Sequence, residues 1–325
     1  MSASSSTSSF EVNTAQAATD RRRFLHHAVA GALLFSILPL LYVAFLLAAD
    51  PFQLFHLPFS VSTEASRTEY AAHLNPSLYR LIAFRRNPLP DILLGDSRMA
   101  LFHEPDIKKL TGRDVFNLSI PGGTLEMTID TFWYAAEHAR LRSVALAVSL
   151  DAYTDFKLGS EIATMRGMDD NPLLYFTNRN VFTASVEAYR RRLGFAGSNE
   201  LTLERFTREQ IWSDGLQFLR SSFSKWRKPV RFHARLEEIA GYCRKNNIAL
   251  RFVILPQHDD AWRLVDEYGL QQEQEKMKVA LADLAPVLDL SARTGQTADA
   301  NNFTDVVHFR GQIVLDLIRR LWPAS

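Results

Sequence analysis

The chain has 325 residues, with 37 Lys and Arg against 36 Asp and Glu, for a net charge of +1. That balance gives no basic footprint for nucleic acid, and the length admits one large domain or two small ones. A single cysteine, Cys243, excludes an intramolecular disulfide and a cysteine-based metal cluster.

Residues 1–20 are rich in Ser, Thr and Ala and are expected to be unstructured, as part of a cytoplasmic tail over 1–27. Arg21, Arg22 and Arg23 then precede an uncharged apolar run over 28–49. As a helix this run would be about 33 Å long, enough to cross a bilayer core. It exceeds an ordinary signal-peptide core, so the length favours a retained anchor. The arginines before it place the N-terminus in the cytoplasm and the rest outside. "RRRFL" also resembles the twin-arginine export signal, and either reading exports the bulk of the chain.

Residues 50–89 read as a juxtamembrane linker with a helical stretch broken at Pro76. Beyond them, short apolar runs alternate with helical spacing. Strands are expected at 91–95, 114–120, 143–150, 248–256 and 287–291. Helices are expected at 104–112, 124–139, 229–246 and 311–322, with Cys243 buried on the third. Strands alternating with helices predict an α/β domain over 90–325, with a sheet of roughly five parallel strands. The long gap after the third strand holds a helical cap insertion over about 155–228.

"DILLGDSR" runs from the first strand into Ser97. A serine at the carboxyl end of a parallel strand faces the crevice where ligands bind. A helix beginning there would point free N–H groups at a forming oxyanion. An N-cap serine is the plain alternative. A nucleophilic serine needs a base, best a histidine held by a carboxylate. "NNFTDVVHFRGQ" supplies Asp305 and, three residues on, His308, in a polar loop after the last strand. In "NLSIPGGT", Gly122 and Gly123 let the backbone approach a substrate closely and aim an N–H at it.

These three blocks resemble the SGNH superfamily of GDSL-type esterases and acyltransferases. The resemblance covers residues 91–322 and implies a flavodoxin-like sheet. It implies Ser97 as nucleophile, His308 as base and Asp305 as its orienter. It also implies oxyanion donors at the N–H of Ser97 and of Gly122 or Gly123. The third block departs from the family pattern: "VSLDAYTDF" has no asparagine. Asp151 or Tyr153 stands in its place, and Arg98 is another candidate donor.

His258 in "LPQHDDAW" is expected to line the same cleft. With Asp259 and Asp260 it lacks further ligands at a metal-binding spacing, so no metal and no cofactor is expected. Arg98, Asp151, Tyr153 and His258 are the candidates for substrate binding, and Trp133, Tyr153 and Trp262 for stacking on a sugar. The anchor and diverged third block resemble proteins that work beside membrane-bound O-acyltransferases, in teichoic-acid D-alanylation or polysaccharide acetylation. That resemblance implies an inner-membrane, single-pass protein with a periplasmic or extracytoplasmic domain. It implies a polytopic O-acyltransferase partner and an envelope polymer acceptor. A polysaccharide deacetylase and a non-catalytic scaffold with a decayed triad are the alternatives.

Overall fold

A computed structural model of the chain describes residues 8–195 and 206–322. Residues 1–7 of the expected tail, 196–205 of the expected insertion and the last three residues lie outside the described residues. Five strands form one sheet: β1 Asp91–Leu94, β2 Phe116–Asn117, β3 Ser143–Ala147, β4 Ala249–Ile254 and β5 Val287–Asp289. All neighbours are parallel, in the order β2-β1-β3-β4-β5. This is the flavodoxin-like order, with its crevice beside β1.

Side-chain alternation explains the apolar runs. Ile92, Leu94, Val144, Leu146, Phe252 and Ile254 pack on one face with helices Pro76–Arg86, Leu125–His138 and Val230–Lys245. Leu93, Ala145 and Val253 pack on the other with helices Glu104–Thr111 and Gln312–Leu321. Both faces are covered, so the strands carry little polar alternation. Cys243 lies buried in the first core, which pushes its thiol up to about 12.

The strands are shorter than the apolar runs. β2 pairs with β1 over only two residues, but Leu118 N–H and Ile120 N–H still reach Leu93 and Gly95 carbonyls at 2.9 Å each. β3 ends at Ala147, where the chain turns aside toward Asp151.

Three regions differ from the sequence expectation. A single helix runs Ser8–Ala49, so residues from Ser8 onward that read as unstructured are helical. They contain no Pro or Gly before the apolar run, so the long helix propagates backward through them. Within it, Thr19–Ala49 is the one span among the described residues long and apolar enough to cross a membrane. The stretch 50–89 is no loose linker: Phe52, Leu78, Leu81, Ile82 and Phe84 are fully buried in the core. Asp50, at the helix end, accepts from the N–H groups of Leu54, Phe55 and His56 at 2.9–3.1 Å and from the Tyr175 hydroxyl at 3.1 Å. Burial nevertheless raises its carboxyl above the usual range.

The insertion divides in two. Helices Ile162–Asp170, Pro172–Thr177 and Arg179–Arg192 pack toward the N-terminal helix and the helix Pro76–Arg86. Helix Arg208–Phe223 packs on Asp259–Glu267, beside the C-terminal loop of the sheet edge.

Candidate active site

The loop after β1 carries Ser97. Gly95 is required here by packing rather than by dihedral angle. A Cβ on it would lie 2.9 Å from the Cβ atoms of both Ala147 and Met99, so only glycine lets β1 and β3 close at this end. The helix start considered at Ser97 is a three-residue 3₁₀ turn, Met99–Leu101. Asn117 is one reason. Its Nδ2 donates to the carbonyls of Met99 and Phe102 at 2.9 Å each, which closes the turn against β2.

The loop over 303–309 brings His308 to Ser97. Asp305 Oδ1 accepts from the N–H groups of Val307 and His308 at 2.8 Å each, and Phe303 pairs with Phe309 across the turn. His308 Nδ1–H donates to Asp305 Oδ2 at 2.6 Å. That bond fixes the tautomer, so Nε2 is left to accept from Ser97 Oγ, also at 2.6 Å. Burial alone would raise the Asp305 carboxyl. The hydrogen bond and charge of His308 and the two N–H groups outweigh it, and hold the carboxyl below its usual value. Ser97, His308 and Asp305, far apart in sequence, thus form one continuous relay at the carboxyl edge of the sheet.

The expected oxyanion donors differ in what they bond. Gly122 adopts φ +73°, a conformation that favours glycine. Gly123 N–H donates to Ile120 O at 2.9 Å and is therefore occupied. Of the two candidate glycines, Gly122 keeps its N–H without a partner among the described residues, as does Ser97. Asn117 Oδ1 accepts from Ser119 N–H at 3.0 Å, so one side chain braces both the serine loop and the glycine loop.

The third block is tied to the first by an arginine. Arg98 is buried and donates from Nε to Asp96, and from Nη2 to Asp96, to Ser149 Oγ at 2.6 Å and to Asp151 Oδ1 at 3.3 Å. Lys157 approaches the other Asp151 oxygen at 3.4 Å. Burial alone would raise the Asp151 carboxyl, but Arg98 and Lys157 hold it well below the usual range. It is an acceptor and not an oxyanion donor. Burial alone would likewise lower Arg98, and the two carboxylates raise it above its ordinary value. Arg98, Ser149 and Asp151 thus form one cluster that ties the serine loop to the segment after β3.

The other candidates are not gathered at the relay. Tyr153 is buried in the core with its hydroxyl on His233 Nδ1 at 3.0 Å, and burial and Asp155 push the phenol up to about 12. His258 is buried, with both ring nitrogens engaged. Nδ1 accepts from Asp260 N–H at 3.0 Å and Nε2–H donates to Ala298 O at 3.2 Å. Its position after β4 suggested the cleft, but it serves as the N-cap of helix Asp259–Glu267. Trp133 packs edge-on against Phe132 and Tyr242, and Trp262 is buried beside Arg293. No group of three or more metal-ligating side chains occurs among the described residues.

Asn117 and Gly215 were not singled out in the sequence. A Cβ on Gly215, in mid-helix, would meet Val306 Cγ2 at 3.1 Å and Asp305 Cβ at 3.5 Å. A glycine inside an amphipathic helix was the available signal, since it costs about 1 kcal/mol against alanine.

The chain matches no protein-family model and no curated sequence. Among solved structures it is similar to a candidate acylhydrolase from Bacteroides fragilis NCTC 9343, at 12% identity and a TM-score of 0.38, covering 80% of this chain and 97% of that one. It is also similar to a candidate platelet activating factor from Streptococcus pneumonia, at 11% identity and a TM-score of 0.38, covering 78% of this chain and 94% of the other.

Proposed function

We propose that the chain is a membrane-anchored serine esterase or O-acyltransferase of the SGNH type, acting through an acyl-serine on an exported or envelope polysaccharide. The observation that carries this reading is the relay from Ser97 Oγ to His308 Nε2 and from His308 Nδ1 to Asp305, at 2.6 Å each. A spacing of that kind is what proton transfer from an attacking hydroxyl requires.

In this mechanism Ser97 Oγ attacks the acyl carbonyl carbon as its proton passes to His308 Nε2. The carbonyl oxygen becomes the oxyanion and receives the N–H groups of Ser97 and Gly122. The intermediate collapses when His308 returns the proton to the leaving oxygen, which departs as an alcohol. A hydroxyl of the acceptor then attacks the acyl-serine, giving its proton to His308. The new ester leaves as Ser97 recovers a proton. Water in place of the acceptor gives hydrolysis. Transfer and hydrolysis therefore share every protein group and differ in the last nucleophile. The apolar N-terminal helix supports an anchor and, with the arginines before it, an extracytoplasmic domain at the inner membrane. A polytopic O-acyltransferase would then supply the acyl group from across the membrane.

The test is covalent. A fluorophosphonate probe should label the full chain in detergent, and Ser97→Ala should remove the label while the melting temperature is kept. Cleavage of p-nitrophenyl acetate should fall by about 10⁴-fold or more in the same variant. Full labelling in Ser97→Ala would rule the mechanism out. Adding acetylatable oligosaccharides to the wild-type reaction and weighing the products separates transfer from hydrolysis.

A further inference from the structure

The anchor does not leave the domain at its last residue. Leu46 and Ala49 are fully buried in the core, and Val61 N–H and the Ser60 hydroxyl return to the carbonyls of Ala48 and Ala49 at 2.7 Å each. Tyr42 stacks on Phe182 with ring centroids 6.1 Å apart, and Phe45 stacks on Tyr189 at 4.6 Å. The Tyr42 hydroxyl donates to Phe176 O at 2.8 Å. Tyr42 stands seven residues before the helix end, or about 10 Å along the axis. The insertion helices Pro172–Thr177 and Arg179–Arg192 therefore reach down the side of the apolar span.

Length makes this consequential. Only residues 28–41 of the apolar run stand clear of the domain, a helix about 21 Å long against a hydrocarbon core of about 30 Å. A domain held wholly in water would leave the anchor short. The insertion also exposes apolar groups at this level. Leu173 is 67% exposed, Leu174 40% and Phe182 42%. Phe59 is 69% exposed and adjoins Ser60, which bonds the anchor's last residue. Leu38 and Leu41, within about one helical turn of Tyr42, are 72% and 61% exposed.

We infer that Phe59, Leu173, Leu174 and Phe182 form a second membrane contact, embedded in the lipid of the leaflet beside the anchor. The occupant is the boundary between headgroups and acyl chains, where an amphipathic element buries its apolar side by a few ångströms. The contact makes up the missing length of the span, which would otherwise be met by thinning the bilayer or by snorkelling of the flanking residues. It also fixes the domain's tilt, because anchor and insertion then hold it at two points. The inference rests on the anchor reading given above.

The experiment uses the full chain with Cys243→Ala, reconstituted alone in phosphatidylcholine–phosphatidylglycerol vesicles. Single cysteines replace Leu173, Phe59, Leu38 in the span, or Val279, which is exposed on the distant helix Gln271–Leu284. Each carries an environment-sensitive nitrobenzoxadiazole label, read by quenching from lipids with a doxyl group high on the acyl chain. Leu173 and Phe59 should be quenched at least ~3-fold more than Val279, as expected for groups at the acyl boundary. Quenching at Leu38 with none at Leu173 or Phe59 overturns the inference, keeps the anchor, and leaves that face to a protein partner. No quenching at Leu38, Leu173 or Phe59 overturns both readings. Phe59 lies on a loop apart from the insertion, so a folding defect in Leu173→Cys leaves the test intact.

Discussion

Two histidines stand in loops at the same edge of the sheet, each within three residues of an aspartate, and they do opposite things. His308 Nδ1 lies 2.6 Å from Asp305, and its Nε2 receives the Ser97 hydroxyl. His258 Nδ1 lies 3.4 Å from Asp260 and accepts a backbone N–H instead, while Nε2 is bound to the Ala298 carbonyl. The His308 side chain is 29% exposed and the His258 side chain 8%. The ingredients are the same. A base differs from a helix cap in having one ring nitrogen directed at a reacting group, with the other held by a carboxylate.

The sharpest way to break this comparison is to remove each ring in turn. His308→Asn should lower the rate of fluorophosphonate labelling at Ser97 by about 10⁴-fold and leave the fold intact. His258→Ala should do the reverse. It removes a cap and two hydrogen bonds, so unfolding should cost about 1–3 kcal/mol less, and labelling should stay within about tenfold. Labelling rate and thermal melting, measured on the same two variants, decide it. A large loss of labelling in His258→Ala would mean that the second histidine also acts at the site.

The sheet and the relay were legible because they rest on local patterns. The strand runs at 91–95 and 143–150 are apolar on both faces for a reason that holds anywhere, namely burial between two helix layers. Gly-Asp-Ser and Pro-Gly-Gly follow strand ends, and Asp-x-x-His lies in the long loop after the last strand, which the topology brings to the same edge. His258 was not legible, because its role depends on the Ala298 carbonyl, 40 residues away and in no motif. The Asp151 neighbourhood was not legible either. Arg98 looked like a candidate donor, and only its burial among Asp96, Ser149 and Asp151 shows where three of its bonds go. The region 50–89 read as a linker because the partners of its buried residues, on helices Leu125–His138 and Ile162–Asp170, lie far along the chain where periodicity alone does not show them.

Acid sharpens the comparison through Asp305. The carboxyls of Asp305, Asp151 and Asp91 are all held below the usual value. A depressed folded pKa means that the unfolded chain binds the proton more tightly. The stability these groups contribute is therefore complete above the unfolded value near 3.9 and is lost as pH falls through the lower folded values. Asp50, raised by burial, works in the opposite direction, since protonation in this range favours its folded form. Asp289 and Glu209 are held low as well, so with five groups against one the melting temperature should hold from pH 7 to about 4.5 and fall below about 4. Asp305→Asn should make that acid fall shallower and cut labelling by up to about 10⁴-fold, through loss of the histidine tautomer. An acid limb of unchanged steepness would show that His308 does not set the Asp305 proton affinity.

The smallest expected effect tests whether the insertion helps to hold the base. Helix Arg208–Phe223 has no side chain in the relay, yet it meets the Asp305 loop at Gly215. Alanine in a helix interior ordinarily gains about 1 kcal/mol over glycine. At Gly215 the new methyl would stand 3.1 Å from Val306 Cγ2 and 3.5 Å from Asp305 Cβ, so the loop must yield by a few tenths of an ångström. Gly241, inside helix Val230–Lys245, provides the control, because a Cβ there meets nothing within 4 Å. Gly241→Ala should gain the full propensity term and leave labelling unchanged. Gly215→Ala should gain little or nothing in melting and slow labelling by about 3–10-fold, in keeping with the roughly 10² that a 1 Å misplacement costs. If the two variants behave alike, the helix merely rests beside Asp305. If they part as expected, half of the insertion is a brace for the Asp305 carboxylate, as Asn117 is for the serine loop.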